Sequence, residues 1–171
     1  MSKKRLREFL WFIIPGGAVL LAFLINFFVI INAQVPSGSM EPAIQKGALV
    51  LGSRLVYLDS EPEPGDIVVF THEEFRNKLL IKRVVAVGGQ RFMMRRGVVY
   101  IDGEPITEEY VSCFSDDDYP EITVPAGMVI VLGDNRTASY DSRYWDNPYV
   151  LTENIKAKAF FSYYPELKKL S

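Results

Sequence analysis

The chain has a single cysteine, Cys113, and a single histidine, His72, in 171 residues. One cysteine excludes an intrachain disulfide and leaves the redox compartment unspecified. The histidine stands in His72-Glu73-Glu74 with Arg76, Asn77 and Lys78 close behind, which reads as an exposed polar loop tip. Internal repeats, low-complexity tracts and linkers are missing. The one acidic run, Asp116-Asp117-Asp118, lacks the fuller spacing of a calcium loop and reads as a solvated loop. Basic charge exceeds acidic charge in the first few residues and not in the remainder. Lys3, Lys4, Arg5 and Arg7 against Glu8 give residues 1–31 a charge of +3, which leaves −5 for the remainder of a chain whose net charge is −2. A domain that acidic has no electrostatic reason to bind nucleic acid.

What the chain does have is one long apolar run at residues 9–31, broken only by Pro15, Gly16, Gly17 and Asn26. At 1.5 Å per helical residue such a run can cross a hydrocarbon core of about 30 Å. The basic residues on its N-terminal flank and the absence of Lys or Arg beyond it until Lys46 follow the excess of positive charge kept on the cytoplasmic side. The expected order is a basic cytoplasmic tail at 1–8, a membrane anchor at 9–31 and an outer domain at 32–171. Ile31-Asn32-Ala33 resembles a signal-peptide cleavage site, but cleavable apolar cores span about 7–15 residues, so a retained anchor is the better reading. The 140 residues that follow suit one domain.

Those residues read as short strands. Segments 48–51, 66–70, 79–87, 97–101 and 128–132 are rich in β-branched and aromatic residues. Pro64-Gly65, Gly88-Gly89, Asp102-Gly103 and Pro125-Ala126-Gly127 supply the turns between them. Residues 98–106 read as a hairpin, with Asp102-Gly103 providing the positive φ of a two-residue turn. A short helical turn near 152–157 is the only helical signal after the apolar run.

Ser37-Gly38-Ser39-Met40-Glu41-Pro42 begins six residues beyond that run, at the expected membrane surface. A serine hydroxyl needs a proton acceptor before it becomes a useful nucleophile. Lysine can serve when burial lowers its pKa, and Lys82 shares a strand face with Leu80 and Val84. Taken singly, each feature has a plainer reading: a Ser-Gly connector, an edge-strand lysine that discourages aggregation, and a turn with a surface ion pair at Gly133-Asp134-Asn135-Arg136.

Together they are more specific. Ser37-Gly38-Ser39-Met40-x-Pro42, Gly65-Asp66, Ile81-Lys82-Arg83-Val84-Val85 and Gly133-Asp134-Asn135-Arg136-x-x-Ser139-x-Asp141-Ser142-Arg143-Tyr144-Trp145 resemble, in order, the motif blocks of bacterial type I signal peptidases. The resemblance implies a mainly β, antiparallel sheet or barrel catalytic domain behind one N-terminal transmembrane helix. It implies a serine endopeptidase that removes signal peptides from exported preproteins, without metal or organic cofactor, on the outer face of the plasma membrane and near the export machinery.

Position by position, Ser39 matches the nucleophile and Lys82 the general base. Ser37 matches an oxyanion donor and Ser139 a residue that hydrogen-bonds and orients the lysine. Arg83, Asp134, Asp141 and Arg143 match supporting ion pairs. Val35, Pro36, Met40, Ile44, Leu80 and Ile81 match the walls of shallow pockets for small substrate residues. Ala43, Gly88, Gln90 and Thr137-Ala138 depart from the usual pattern without touching the dyad positions.

Two rivals carry different expectations. A cysteine transpeptidase would use Cys113 and His72, although Tyr110-Val111-Ser112-Cys113-Phe114 lacks the Thr-Leu-x-Thr-Cys pattern of that family. A membrane-tethered binding domain would leave every serine and lysine structural. Self-cleaving repressors share a related β fold but carry a DNA-binding domain in place of a membrane span.

Overall fold

A computed structural model describes residues 3–76 and 78–170. The side chains of residues 3–10, 12, 26 and 27 lie outside that description, and with them the expected basic cluster at Lys3, Lys4, Arg5 and Arg7; Asn77 lies outside it entirely. Helix α1 (Lys3–Leu24) passes through Pro15 and runs into a π-helical turn, Ile25–Val29. The apolar run therefore does not stay helical to residue 31. Ile30 and Ile31 belong to strand β1 (Ile30–Gln34), where Ile31 packs against Val69 and Ala157. Among the described residues no helix is long and apolar enough to cross a membrane.

The remaining chain is antiparallel β. Strands β2 (Leu49–Ser53), β3 (Ile67–Thr71), β4 (Leu79–Val87), β5 (Arg91–Arg95), β6 (Val98–Ile101) and β7 (Glu104–Pro105) come first. They are followed by β8 (Tyr119–Thr123), β9 (Met128–Leu132), β10 (Val150–Leu151), β11 (Ile155–Tyr164) and β12 (Lys168–Lys169). The larger sheet has the order β1-β2-β11-β3-β4-β9-β10, with β12 paired to β11; the smaller has the order β7-β6-β5-β8. Neither closes into a barrel, which corrects that part of the expectation. β1 and β10 each end the larger sheet with one partner apiece. The sheet nonetheless curls enough for Ile31 of β1, Val69 of β3 and Ile81 of β4 to share one apolar cluster. A gap is left between the free edge of β1 and residues 79–82 of β4, which extend past the pairing with β9.

Strand β3 has four consecutive buried residues, Ile67 to Phe70, because it is interior to the sheet and covered on both faces. β11 instead alternates, with Ile155, Ala157 and Ala159 inward and Lys156 and Lys158 less buried. The expected helical turn at 152–157 is split: Thr152–Asn154 is a 3-10 turn, while Ile155 opens the longest strand of the molecule among the described residues. The 98–106 hairpin forms as expected, with φ of 55° at Asp102 and 91° at Gly103. Its sheet packs Phe92, Met94 and Val99 against Val85, Ala86, Ile130 and Leu132 of the larger sheet. That contact fixes β4 and β9, the strands that lead into the site.

Candidate active site

Antiparallel pairing of β3 with β4 places Lys82 opposite Val68, on a strand face that it shares with Leu80 and Val84. Pairing of β4 with β9 begins at Arg83, so residues 79–82 run past the end of β9 with that edge open. The nucleophile turn is folded by short-range bonds. Glu41 N donates to Gly38 O at 3.2 Å and Ile44 N to Met40 O at 2.8 Å. Met40 and Ile44 are fully buried in the core with Val35, Val50 and Ile67, which fixes the turn from below. Neither lines the cleft directly; they back the wall that Val35 forms.

The result is a buried contact: Lys82 Nζ donates to Ser39 Oγ at 2.7 Å, across 43 residues of sequence. Ser39 is 4% exposed and Lys82 7%. Ser37, which is exposed, donates from Oγ to Ser39 Oγ at 3.3 Å. Burial pushes the Lys82 ammonium down to about 8; Asp141 and then Asp134 pull it back up, and Arg143 adds to the depression. Removing a charge from water costs more here than two nearby carboxylates recover, so the amine is available in its neutral form at mildly alkaline pH.

A small cleft of about 80 Å³ opens beside this pair. Val35, Pro36, Leu80 and Ile81 line it, and Gln34 and Leu79 join them. Val69 of β3 forms part of its floor. One wall continues β1, the other is the open stretch of β4. A larger cavity of about 740 Å³ lies on the small sheet, lined by Met93, Arg95 and Tyr100 among others, and includes neither Ser39 nor Lys82.

A family model described as "Signal peptidase, peptidase S26" matches residues 6–164. The chain belongs to that family. It is 36% identical over 155 residues to a protein named "Probable signal peptidase I-1" from Synechocystis sp., covering 86% of this chain and 78% of the relative. It is 30% identical to the "Signal peptidase I" of Bacillus caldolyticus, covering 96% and 93% of the two chains. The crystal structure of a signal peptidase I from Enterococcus faecalis V583 matches 58% of this chain and 97% of that one, with a TM-score of 0.50 and 28% identity. The protein is thus a serine endopeptidase of the signal peptidase type, a hydrolase that removes signal peptides.

Behind the Ser39–Lys82 pair, this peptidase carries a layer of buried ion pairs. Arg83 Nε and Nη2 donate to both oxygens of Asp134 at 2.9 and 2.8 Å, while Nη1 donates to Gly65 O at 2.7 Å. Arg143 donates to Asp141 through Nε at 2.8 Å and Nη2 at 2.9 Å. Asp141 Oδ2 accepts from Gly133 N at 2.9 Å, so that pair holds the segment after β9. Ser139 Oγ is buried and has no hydrogen-bond partner among the described residues. The expected bond from Ser139 to Lys82 is therefore not made; its side chain packs against Gly133 instead.

His72 is the clearest departure from the sequence reading. It is 3% exposed, 4.5 Å from the Trp145 ring and edge-on to Phe75. Glu73, Glu74, Arg76 and Lys78 are exposed, but the apolar faces of Phe75 and Trp145 cover the imidazole. Among the described residues both its ring nitrogens lack hydrogen-bond partners, so no thiol or hydroxyl there is placed for it to activate. Cys113 is exposed and forms a parallel bridge with Asn135. Asp117 is no free acid either: it accepts from Arg143 Nη1 at 2.6 Å and from Tyr144 OH at 2.7 Å.

Two contributors escaped the sequence reading. Gly133 was noted only as part of a motif, yet a Cβ there would lie 2.3 Å from Ser139 Oγ and 2.5 Å from Ser39 O. Glu108, far from any motif, forms a bidentate pair with Arg136. A glycine directly after an apolar strand hinted at the first; nothing in local sequence marked the second.

Proposed function

We propose that Ser39 and Lys82 are the catalytic dyad of this signal peptidase, and that residues 9–29 anchor it in a membrane. The 2.7 Å Lys82–Ser39 contact carries the reading of the dyad. With the amine neutral, the proton moves along that contact from Ser39 Oγ to Lys82 Nζ as Oγ attacks the scissile carbonyl carbon. The oxyanion so formed is met by Ser37 Oγ and the Ser39 amide, a class of interaction worth about 2.7–4 kcal/mol per donor. Lys82 then gives its proton to the leaving amine as the C–N bond breaks. A water deprotonated by Lys82 attacks the Ser39 ester, and the proton returns to Ser39 Oγ as the acid departs. Arg83, Asp134, Asp141 and Arg143 are supporting residues in this scheme.

The signal-peptide segment enters as an extended strand between the open edges of β1 and β4. Backbone hydrogen bonds give affinity and the small cleft admits small side chains. Support for the anchor comes from the apolar side chains of the helical segment. Trp11, Ile14, Val19 and Leu20 are each 58–74% exposed, so among the described residues they are left largely uncovered. A helix apolar all round requires another apolar medium. On the charge asymmetry of the sequence, residues 1–8 lie on the cytoplasmic side and the domain 32–171 on the outer face of the plasma membrane.

Cleavage of a synthetic signal peptide by single variants tests the dyad. Ser39→Ala and Lys82→Ala each lose about 10⁴-fold or more in kcat, because two groups acting as one unit fail together. Cys113→Ala and His72→Ala keep cleaving whatever fraction remains folded. Activity surviving in Ser39→Ala would falsify the dyad.

A further inference from the structure

Residues 108–117, between β7 and β8, form a strap that touches all three buried arginines of the site. Glu108 pairs with Arg136, the Tyr110 ring lies 4.0 Å from the Arg83 guanidinium carbon, and Ser115 and Asp117 accept from Arg143. The first of these contacts leads most directly to the nucleophile. Glu108 Oε1 and Oε2 accept from Arg136 Nη2 and Nη1 at 2.6 and 2.9 Å, with side chains 6% and 1% exposed. The same guanidinium donates from Nε to Gly133 O at 3.1 Å. Arg136 N donates to Cys113 O, and the neighbouring Asn135 N donates to Ser39 O, each at 3.1 Å. One carboxylate thus fixes an arginine whose side chain and backbone brace the loop that holds the Ser39 carbonyl.

We propose that Glu108 is a positioning residue for cleavage, clamping the 133–139 loop through Arg136 so that Ser39 Oγ stays against Lys82 Nζ. The inference rests on the dyad proposed above. A fork of two parallel charge-assisted bonds fixes the plane of the guanidinium as well as its distance. Without Glu108 the buried Arg136 cation loses that partner and turns toward other acceptors, which pulls on Gly133 O. Small displacements of a reacting atom cost rate more than binding, because the cleft that holds the substrate strand is built from other segments. Glu108 touches neither Ser39 nor Lys82, so its effect is indirect.

The test is steady-state cleavage of a synthetic signal peptide by the full chain in detergent, with circular dichroism as a control for folding. Glu108→Gln lowers kcat about tenfold or more while KM stays within about twofold, the split expected of a lost reaction geometry. Glu108→Asp, which keeps the carboxylate, recovers a substantial part of that loss. An unchanged kcat in folded Glu108→Gln, a loss confined to KM, or Glu108→Asp no better than Glu108→Gln overturns the proposal. If Glu108→Gln does not fold, Tyr110→Phe decides. It removes only the hydroxyl that donates to Glu108 Oε1 at 2.7 Å. A fall in its kcat alone supports the clamp, and a kcat equal to that of the parent overturns it. Ser39→Ala is assayed alongside. Cleavage by that variant sinks the dyad, whereas an inactive Ser39→Ala with a fully active Glu108→Gln sinks the clamp alone.

Discussion

At the scale of single residues, the site depends on a position that has no side chain. Gly133 joins β9 to the loop carrying Asp134, Asn135 and Arg136, and the Ser39 carbonyl and the Ser139 side chain both crowd its Cα. A Cβ at 2.3 and 2.5 Å from those atoms cannot be accommodated without moving at least one of them, and Ser39 O is main chain. Gly133→Ala is therefore expected to remain folded but to lose about 100-fold in kcat, since a shift of about 1 Å at a reacting group has that effect. Peptide cleavage per folded molecule is the measurement, and a rate within twofold of the parent would show that the crowding relaxes harmlessly. Crowding of this sort is invisible in sequence, where Gly133-Asp134 has the look of an ordinary turn. The contact between Ser39 and Lys82 was legible only because four motif blocks occur in order; either residue alone supported a plainer reading. His72 was misread for a related reason. Its sequence neighbours are polar, but its covering partner Trp145 lies 73 positions away and no local pattern announces it.

At the scale of elements, the strands most legible in sequence were those flanked by strong turns. The limits of β4 and β9 match the expectation, and β3 is displaced by one residue. β11 went unread because Ala157 and Ala159, which supply its inward face, are strong helix formers and weak strand formers, and Lys156 and Lys158 fill the positions between them. The 3-10 turn at its start also imitates a helix. This matters for the site, because β11 sits between β2 and β3 and bends the larger sheet through its register shifts. The bend brings β1 toward β4 without letting them pair, and the cleft is the space left over. On the proposed binding mode, a substrate strand lying there would meet Val35, Leu80 and Ile81, with little room for a bulky side chain. A peptide panel varied immediately before the scissile bond and at the third residue before it should show Ala or Gly preferred. Ala→Phe there is expected to cost far more than the roughly 1–3 kcal/mol that one methylene decides. Equal kcat/KM for the Ala and Phe peptides would remove the pocket assignment and leave the dyad standing.

For the whole molecule, two parts of opposite character are joined at β1. The domain buries its apolar residues in four clusters, while the helical segment displays its own. Sequence showed this division through hydropathy and charge, but it overran the boundary. The strand-forming Ile30 and Ile31 extend the apolar run without a break, and only their pairing with Ser53 and Gly52 reveals that they belong to the sheet. The full chain is expected to sediment with membranes, and a form lacking residues 1–29 to stay in the supernatant with its β circular dichroism intact. Equal sedimentation of both forms would remove the anchor from the account.

The claim on which the rest depends is that Lys82 accepts the proton of Ser39 as a neutral amine. Burial places its folded-state pKa at about 8, below the ordinary lysine value of 10.5. Because the charged amine has no lone pair to offer, activity must be low where Lys82 is protonated and rise as it loses its proton. The direct measurement is kcat/KM for a short, non-ionising peptide as a function of pH, which reports the free enzyme. The expected profile rises tenfold per pH unit at low pH and levels off above an apparent pKa near 8. A profile flat between about pH 6 and 10, across the range in which such a base must titrate, would contradict it.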